Sequence, residues 1–518
     1  MNHIDRLANE ICEQGVNNVF GIPGSGPSLA LLDALEKKGI NFHLTHTESS
    51  AVLMAGAGAK LSGKAGVAIA IKGPGLSNQL PGIATCFLDA WPVLAISEAF
   101  HPDTMSHVAH KRMDHATMVK AITKFSCFWG GGSATYRELA AFAESERPGP
   151  VHIDIADKPV ESRSTPLFSE GKNHTCMPER ISSILSDSLR PVMIVGTLAV
   201  RRGISHYLDA LQIPVFTTAA AKGAINEHLS QAAGVYTGVG DILAPEASII
   251  SKADLIIGIG LRPEELLGVH SFSCKCLFYD VVNINVAPWR RNSEFCGFSE
   301  GIIEGLFDIL QDKRWGIEEI TRCMRLLRQN LIHDAFLPAS IISQVESSFN
   351  CNARLVLDTG NFCTVAEHVW RVPKAELYLA AGQGRYMGVG LPLAIGAAIH
   401  DSSVPTVLFT GDGGIGMYIA ELKLAVALNL PLLVILLSDG HLGTILGASI
   451  KRGLSRSATV IHQPSWDKII DNMGIESYRI ESMGDLGVLL SSWDRKNPLY
   501  LEAHFDPFKY QAMTEKIR

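Results

Sequence analysis

The chain has 518 residues, 47% of them hydrophobic, and carries 45 basic against 52 acidic side chains for a net charge of −7. That length leaves room for two to four domains with sizeable cores. The lack of a basic excess or of a Lys/Arg block argues against nucleic acid as a partner. Ten cysteines without a CxxC pair, the nearest being Cys274 and Cys276, form no metal pattern and suit a reduced, intracellular protein.

The opening segment, MNHIDRLANEICEQGVNNVFGIPG, reads as an amphipathic helix running into a strand, not as an export signal. No stretch approaches the ~20 uninterrupted apolar residues of a membrane span, and runs such as PLLVILL have strand length. A cytoplasmic protein without a membrane partner is expected. Short apolar strands then recur with helix-length segments between them: NNVFGIPG, AGVAIAIKGPG, WPVLAISEA, GPVHIDIA, RPVMIVG, IPVFTTAA, ADLIIGIG, DVVNINVA, ARLVLDTG, VPTVLFTGDGG, LPLLVILLSDG and PLYLEAHFDP. Such a series predicts an α/β chain of parallel sheets flanked by helices. The polar stretch DKPVESRSTPLFSEGKNHTCMPER and a charged helical segment around 312–336 mark two breaks, giving three domains at 1–165, 175–330 and 338–518.

The segment GDGGIGMYIAELKLAVALNLPLLVILLSDGHLG carries Asp412 and Asp439, 27 residues apart. A strand, crossover helix and second strand take ~30 residues, so both carboxylates can reach the carboxyl edge of one sheet, where open α/β folds bind ligands. The N–H groups at Gly411, Gly413 and Gly414 can approach an anion, while the two carboxylates and a carbonyl supply oxygens for magnesium. A metal-bridged diphosphate fits this pattern, although Gly-rich turns with Asp are also ordinary strand-end chemistry. GAGAKLSGKA (56–65) fails as a phosphate loop because Ala65 stands where Ser or Thr must bind magnesium, and GQGRYMGVG (382–390) has the wrong glycine spacing for a dinucleotide. Glu48 opens a helix of small and apolar residues. It reads either as a buried carboxylate with a raised pKa, able to donate a proton, or as a charge favoured by the helix dipole.

The stretches HTESSAVLMAGAGA, KGPGLSNQLPGIATCFLDAWPVLAISEA, GQGRYMGVGLPLAIGAA and the GDG segment together resemble, in order and spacing, the thiamine diphosphate enzymes of the acetolactate synthase and 2-oxo acid decarboxylase superfamily. The resemblance spans nearly the whole chain. It implies that magnesium is held by Asp412, Asp439 and the carbonyl of His441, with Ser438-Asp439 where the family usually has Asn-Asn. It implies that Met387 bends the cofactor, that the Arg385 carbonyl faces its exocyclic amine, and that Glu48 shares a proton with the pyrimidine ring. The cofactor then accepts the electrons released when carbon dioxide leaves. Sites of this family lie between the first domain of one subunit and the third of another, so a homodimer or homotetramer is implied.

Substrate positions follow from the same resemblance. His110 and Lys111 fall where pyruvate decarboxylases have a His pair and acetolactate synthases Phe-Gln; they could relay protons or hold a substrate carboxylate. His101, His107 and His115 are read as polar loop positions. Ser25, in GIPGSGPS, stands where benzoylformate decarboxylase has Ser and pyruvate decarboxylases Asp; a plain glycine turn is the alternative. Leu442 and Ile445 replace the Tyr and Glu of many decarboxylases, which favours transfer of the acyl group to a carbonyl acceptor over release of an aldehyde. The phrase LRPEELLGVHSFSCKCL lacks the Arg-Phe-Asp-Asp of flavin-binding relatives, so no FAD is expected. A 2-oxo acid carboligase, a simple decarboxylase and a degenerate non-catalytic homologue are the readings that remain.

Overall fold

The computed structural model describes residues 2–132, 134–161, 165–166, 177–282, 293–332 and 335–517. It forms three six-stranded sheets, and every strand pair in them is parallel. The first sheet contains β1 (Asn18–Ile22), β2 (Asn41–Leu44), β3 (Gly66–Ala70), β4 (Val93–Glu98), β5 (Phe125–Phe128) and β6 (Val151–Ile155). The second contains β7 (Pro191–Val195), β8 (Val215–Thr217), β9 (Ala232–Val235), β10 (Leu255–Ile259), β11 (Lys275–Tyr279) and β12 (Ser293–Phe295). The third contains β13 (Arg354–Leu357), β14 (Tyr378–Ala380), β15 (Thr406–Gly411), β16 (Leu432–Ser438), β17 (Glu476–Ile480) and β18 (Leu499–His504). Central strands such as β4, β10 and β16 are buried from end to end, because helices cover both faces of a parallel sheet.

The first and third sheets share one topology. Their orders, β2-β1-β3-β4-β6-β5 and β14-β13-β15-β16-β18-β17, are the same when strands are counted within each sheet. The second runs β12-β11-β10-β7-β8-β9 and has its switch point between β10 and β7. The expected strand at 280–287 is a correction: Val281 and Val282 form a bend, and 283–287 lie outside the described residues. The strand sits just before it, at β11.

Helix Glu48–Ser62 is capped by the Thr47 side chain, which accepts from the Ser50 N–H, and ends at Gly63 with φ +71°. It is buried around nearly its whole girth, the pattern of a helix enclosed on all sides. On one side lies helix Pro74–Leu88: a Cβ at Gly82 would sit 2.7 Å from Val52, and one at Gly56 2.7 Å from the Cys86 sulfur. On the other lies helix Gly390–His400 of the third domain, where a Cβ at Gly396 would sit 2.5 Å from Met54 Cα. One apolar core therefore runs from Val52, Leu53 and Met54 to Leu391, Ala394 and Ile395. Among the described residues, no helix is long and apolar enough to cross a membrane.

Candidate active site

β15 and β16 pair from Thr406↔Leu432 to Gly411↔Leu437, so their carboxyl ends lie side by side. Asp412 begins only a four-residue helix, Asp412–Ile415, and the crossover resumes at 419–427. The single crossover helix expected from the sequence is thus broken. Asp412 Oδ2 accepts from the Asp439 N–H at 2.9 Å and the Gly440 N–H at 2.6 Å. Its Oδ1 is buried and has no hydrogen-bond partner. Asp439 Oδ1 accepts from the His441 N–H at 3.0 Å. An isolated antiparallel bridge joins His441 to Val460, using the Gly440 carbonyl and the Leu442 N–H but not the His441 carbonyl. Burial raises the Asp412 pKa, and burial, then the neighbouring Asp412, pushes Asp439 up to about 6. Two desolvated carboxylates with an unpartnered oxygen are poorly matched to each other and well matched to a hard divalent cation.

The turn is held from beneath by a residue the sequence analysis passed over. Asp358, at the end of β13, accepts from the Thr359 N–H at 2.8 Å, the Gly390 N–H at 3.4 Å and the Thr410 hydroxyl at 2.9 Å. Burial pushes its pKa up to about 6. A Cβ at Gly414 would overlap the Asp358 carboxylate, so glycine is required there. The 385–388 loop closes over this turn, with Arg385 at φ +46° and Gly388 at φ +82°. Met387, 40% exposed, has its sulfur 3.3 Å from where a Gly413 Cβ would sit, and Leu442 approaches the same point to 3.0 Å. Ile445, just beyond, is 50% exposed.

The other predicted residues gather at the edge of the first sheet. Glu48 is buried; its Oε2 accepts from the Asn78 amide at 3.1 Å, and its Oε1 lies 3.5 Å from where a Gly75 Cβ would be. Ser25 is exposed on a loop that Glu98 ties down by accepting from the Gly26 and Ser28 N–H groups and the Ser28 hydroxyl. Burial would raise the Glu98 pKa, but the Lys72 ammonium at 2.7 Å and Ser28 outweigh it and hold it below the ordinary value. His110 is exposed and packs edge-on to Phe100 at 6.0 Å. Lys111, at φ +65°, lays its carbonyl against Gly73, itself at φ +63°. A cavity of about 290 Å³ lies beside them, lined by Lys72, Phe100, Lys111, Arg112, His115 and Asp154.

His115 corrects an expectation. It is buried, not a polar loop position, whereas His107 is exposed and His101 half-buried. His115 Nε2 accepts from the Gly73 N–H at 3.0 Å, so Nδ1 carries the proton and donates to Asp154 at 2.7 Å. Ser97 bridges Asp154 and His152, and His152 Nδ1 meets Ser126 at 2.8 Å. His115, His152 and Asp154 offer ligand atoms within 4.8 Å of one another, yet each ring nitrogen already has a hydrogen-bond partner. The cluster fixes the KGPG loop. Its signal was the alternation of His152 and Asp154 within the apolar strand VHIDI, which puts both on one face.

Among the described residues, no hydrogen bond or ion pair joins Ser25, Glu48, His110 or Lys111 to Asp412, Asp439 or His441.

Two parallel sheets of one strand order, each with candidate site residues in the loops at its carboxyl edge, make the layout of an α/β enzyme that takes its ligands at strand ends. Family models agree: the thiamine pyrophosphate enzyme N-terminal binding domain matches residues 1–118, the central domain 179–295 and the C-terminal binding domain 358–502. The chain belongs to the thiamine pyrophosphate enzyme family. It is 29% identical to a probable 2-ketoarginine decarboxylase of Pseudomonas aeruginosa, covering 85% of this chain and 82% of that protein. It is 25% identical to a probable acetolactate synthase large subunit of Methanocaldococcus jannaschii, covering 97% and 91%. The acetolactate synthase isozyme 3 large subunit of Escherichia coli is 27% identical over 85% of this chain and 83% of its own.

Proposed function

We propose that the protein uses thiamine diphosphate and magnesium to decarboxylate a 2-oxo acid and pass the acyl group to a carbonyl acceptor. One observation carries the reading: the unpartnered, buried Oδ1 of Asp412 beside Asp439 at adjacent strand ends. Asp412, Asp439 and the His441 carbonyl would hold the metal, and the backbone from Gly411 to Gly414 the diphosphate. Arg385 and Met387 would meet the aminopyrimidine, and Glu48, reached from a second subunit, would share its proton. The bound cofactor supplies a carbanion and an electron sink. This chain's residues orient it, hold the proton at the Glu48 carboxylate, and recognise the substrate through Ser25, His110 and Lys111. Glu48 follows β2 of the first sheet and Asp412 follows β15 of the third, an arrangement that suits a site shared between the subunits of a homodimer or homotetramer.

Apolar Leu442 and Ile445 beside the turn favour carboligation, since neither side chain can donate the proton that aldehyde release would need. The likeness to a probable 2-ketoarginine decarboxylase supports simple decarboxylation as a second reading. We read the protein as cytoplasmic, place the domains at 1–165, 175–330 and 338–518, and assign no FAD to the middle one. At its switch point the Glu265 carboxylate accepts from the Thr197 N–H and hydroxyl and from the Thr218 hydroxyl. Arg262 pairs with Asp280 at 2.7 Å beside it. The place a nucleotide phosphate takes in such a fold is filled by the protein's own acid.

Mass spectrometry of products from a panel of 2-oxo acids, with and without aldehyde or ketone acceptors, tests the proposal. An acceptor-dependent hydroxyketone supports it, and aldehyde alone selects the second reading. Glu48→Gln should lower turnover by roughly a hundredfold or more without unfolding the chain; unchanged turnover would refute the role of Glu48.

A further inference from the structure

We infer that Asp89 and Glu421 are reciprocal positioning residues, each fixing from its own domain the loop by which the other domain meets the cofactor. The inference rests on the cofactor reading above. Glu421 is fully buried and Asp89 is 5% exposed. Glu421 belongs to the third domain, yet its carboxylate accepts from the first-domain N–H groups of His46 at 3.0 Å and Thr47 at 3.1 Å. Those are the two residues immediately before Glu48. Asp89 belongs to the first domain, and its carboxylate accepts from the third-domain N–H groups of Gln383 at 3.0 Å and Gly384 at 3.3 Å. Those are the two residues immediately before Arg385.

The exchange follows from the shared topology. Counted within each sheet, Asp89 and Glu421 both lie on the crossover from the third strand to the fourth. The loops they grip both lie on the crossover from the second strand to the third, ahead of helices Glu48–Ser62 and Gly390–His400. Those helices cross at two glycines, one from each: Gly396 against Met54, and Gly58, where a Cβ would sit 3.5 Å from the His400 ring. Nearest neighbours across this quasi-twofold contact are thus loop to carboxylate, twice. Each acid is itself buried and accepts from two successive backbone N–H groups of the other domain, and so sets where the following side chain starts. Glu48 is aimed by Glu421, which leaves its Oε2 on Asn78. The Arg385–Met387 loop, with a left-handed residue at Arg385, is pinned at its base by Asp89, and Arg147 braces it by donating to Gln383 at 2.8 Å.

Two variants separate positioning from simple domain adhesion. Asp89→Asn should weaken binding of thiamine diphosphate with magnesium, read by intrinsic fluorescence, by roughly tenfold or more, with kcat at saturating cofactor nearly unchanged. Glu421→Ala should lower kcat by roughly tenfold or more while leaving cofactor affinity within about threefold. Glu421→Gln, whose Oε1 can still accept both N–H groups, should restore it. Hydrogen exchange on the full chain without cofactor keeps the claim testable if a variant is unstable: Asp89→Asn should speed exchange at 383–387, and Glu421→Gln should leave 46–50 protected. Equal changes in affinity and kcat for both sites, no change in either, or exchange that quickens only within the mutated domain would overturn the inference. Wild-type protein that binds no thiamine diphosphate would sink the cofactor reading instead, and the exchange data would still judge the clamp.

Discussion

Replacing Asp439 by Asn should make the metal-free protein more stable at pH 8 and leave it unchanged near pH 4. Asp439 titrates at about 6 in the folded chain because it is buried beside Asp412, whereas an unfolded aspartate titrates near 3.9. The native state therefore binds the proton more tightly, and stability falls as pH rises from about 4 to about 6, then levels off. Holding the ionised group costs the fold roughly 2 to 3 kcal/mol above that window. Asn removes the charge but keeps an Oδ1 to accept from the His441 N–H, now at 3.0 Å. Urea unfolding of chelator-treated wild type and Asp439→Asn at pH 4, 6 and 8 measures the effect, and added magnesium should shrink the gap by neutralising the wild-type pair. Equal stability at pH 8, or a gain that persists at pH 4, would refute the argument that two desolvated carboxylates are strained without a cation.

Gly414→Ala should cost about 2 to 4 kcal/mol, because the new methyl displaces a hydrogen-bonded, buried Asp358; a urea midpoint matching wild type would refute the packing. Thiamine diphosphate with magnesium at a hundred times its dissociation constant should add about 2.7 kcal/mol to stability. A thermal shift that survives EDTA would rule out a metal-bridged diphosphate. Asp154→Ala, which leaves the buried His115 N–H and Ser97 hydroxyl without their shared acceptor, should destabilise the chain by roughly 1 to 3 kcal/mol per orphaned donor, read as a lowered unfolding midpoint. Ile445→Glu should move product from hydroxyketone toward aldehyde by supplying an acid beside Leu442, and an unchanged product ratio by mass spectrometry would count against that assignment.

Apart from β11, the interior strands of the three sheets were legible and the rims were not. VLAISE, LIIGI and LLVILLS are central strands, apolar on both faces, and their sequence says so. The strands passed over include both edges of every sheet: NFHL and FSCF, AAGV and SEF, YLA and ESYRI. NFHL, FSCF, SEF and ESYRI are partly exposed and mix polar residues into the run, whereas AAGV and YLA are apolar and largely buried but only four and three residues long. KCLFY was hidden by its lysine and cysteine. In the site, residues that would touch cofactor stood out because glycines and aspartates cluster around them. The acids that hold the loops did not, since Asp89, Asp358 and Glu421 act through partners distant in sequence: 294 residues separate Asp89 from Gln383.

Glu48 and Asp412 follow strands of different sheets, and this has a genetic consequence. Where a working site draws one from each of two subunits, Glu48→Gln and Asp412→Asn chains are both inactive alone, yet their mixed dimer joins the two lesions in one site and leaves the other site whole. With random pairing, about a quarter of the sites would be intact. Two null alleles expressed together would then complement each other, as neither could if each chain built its site by itself.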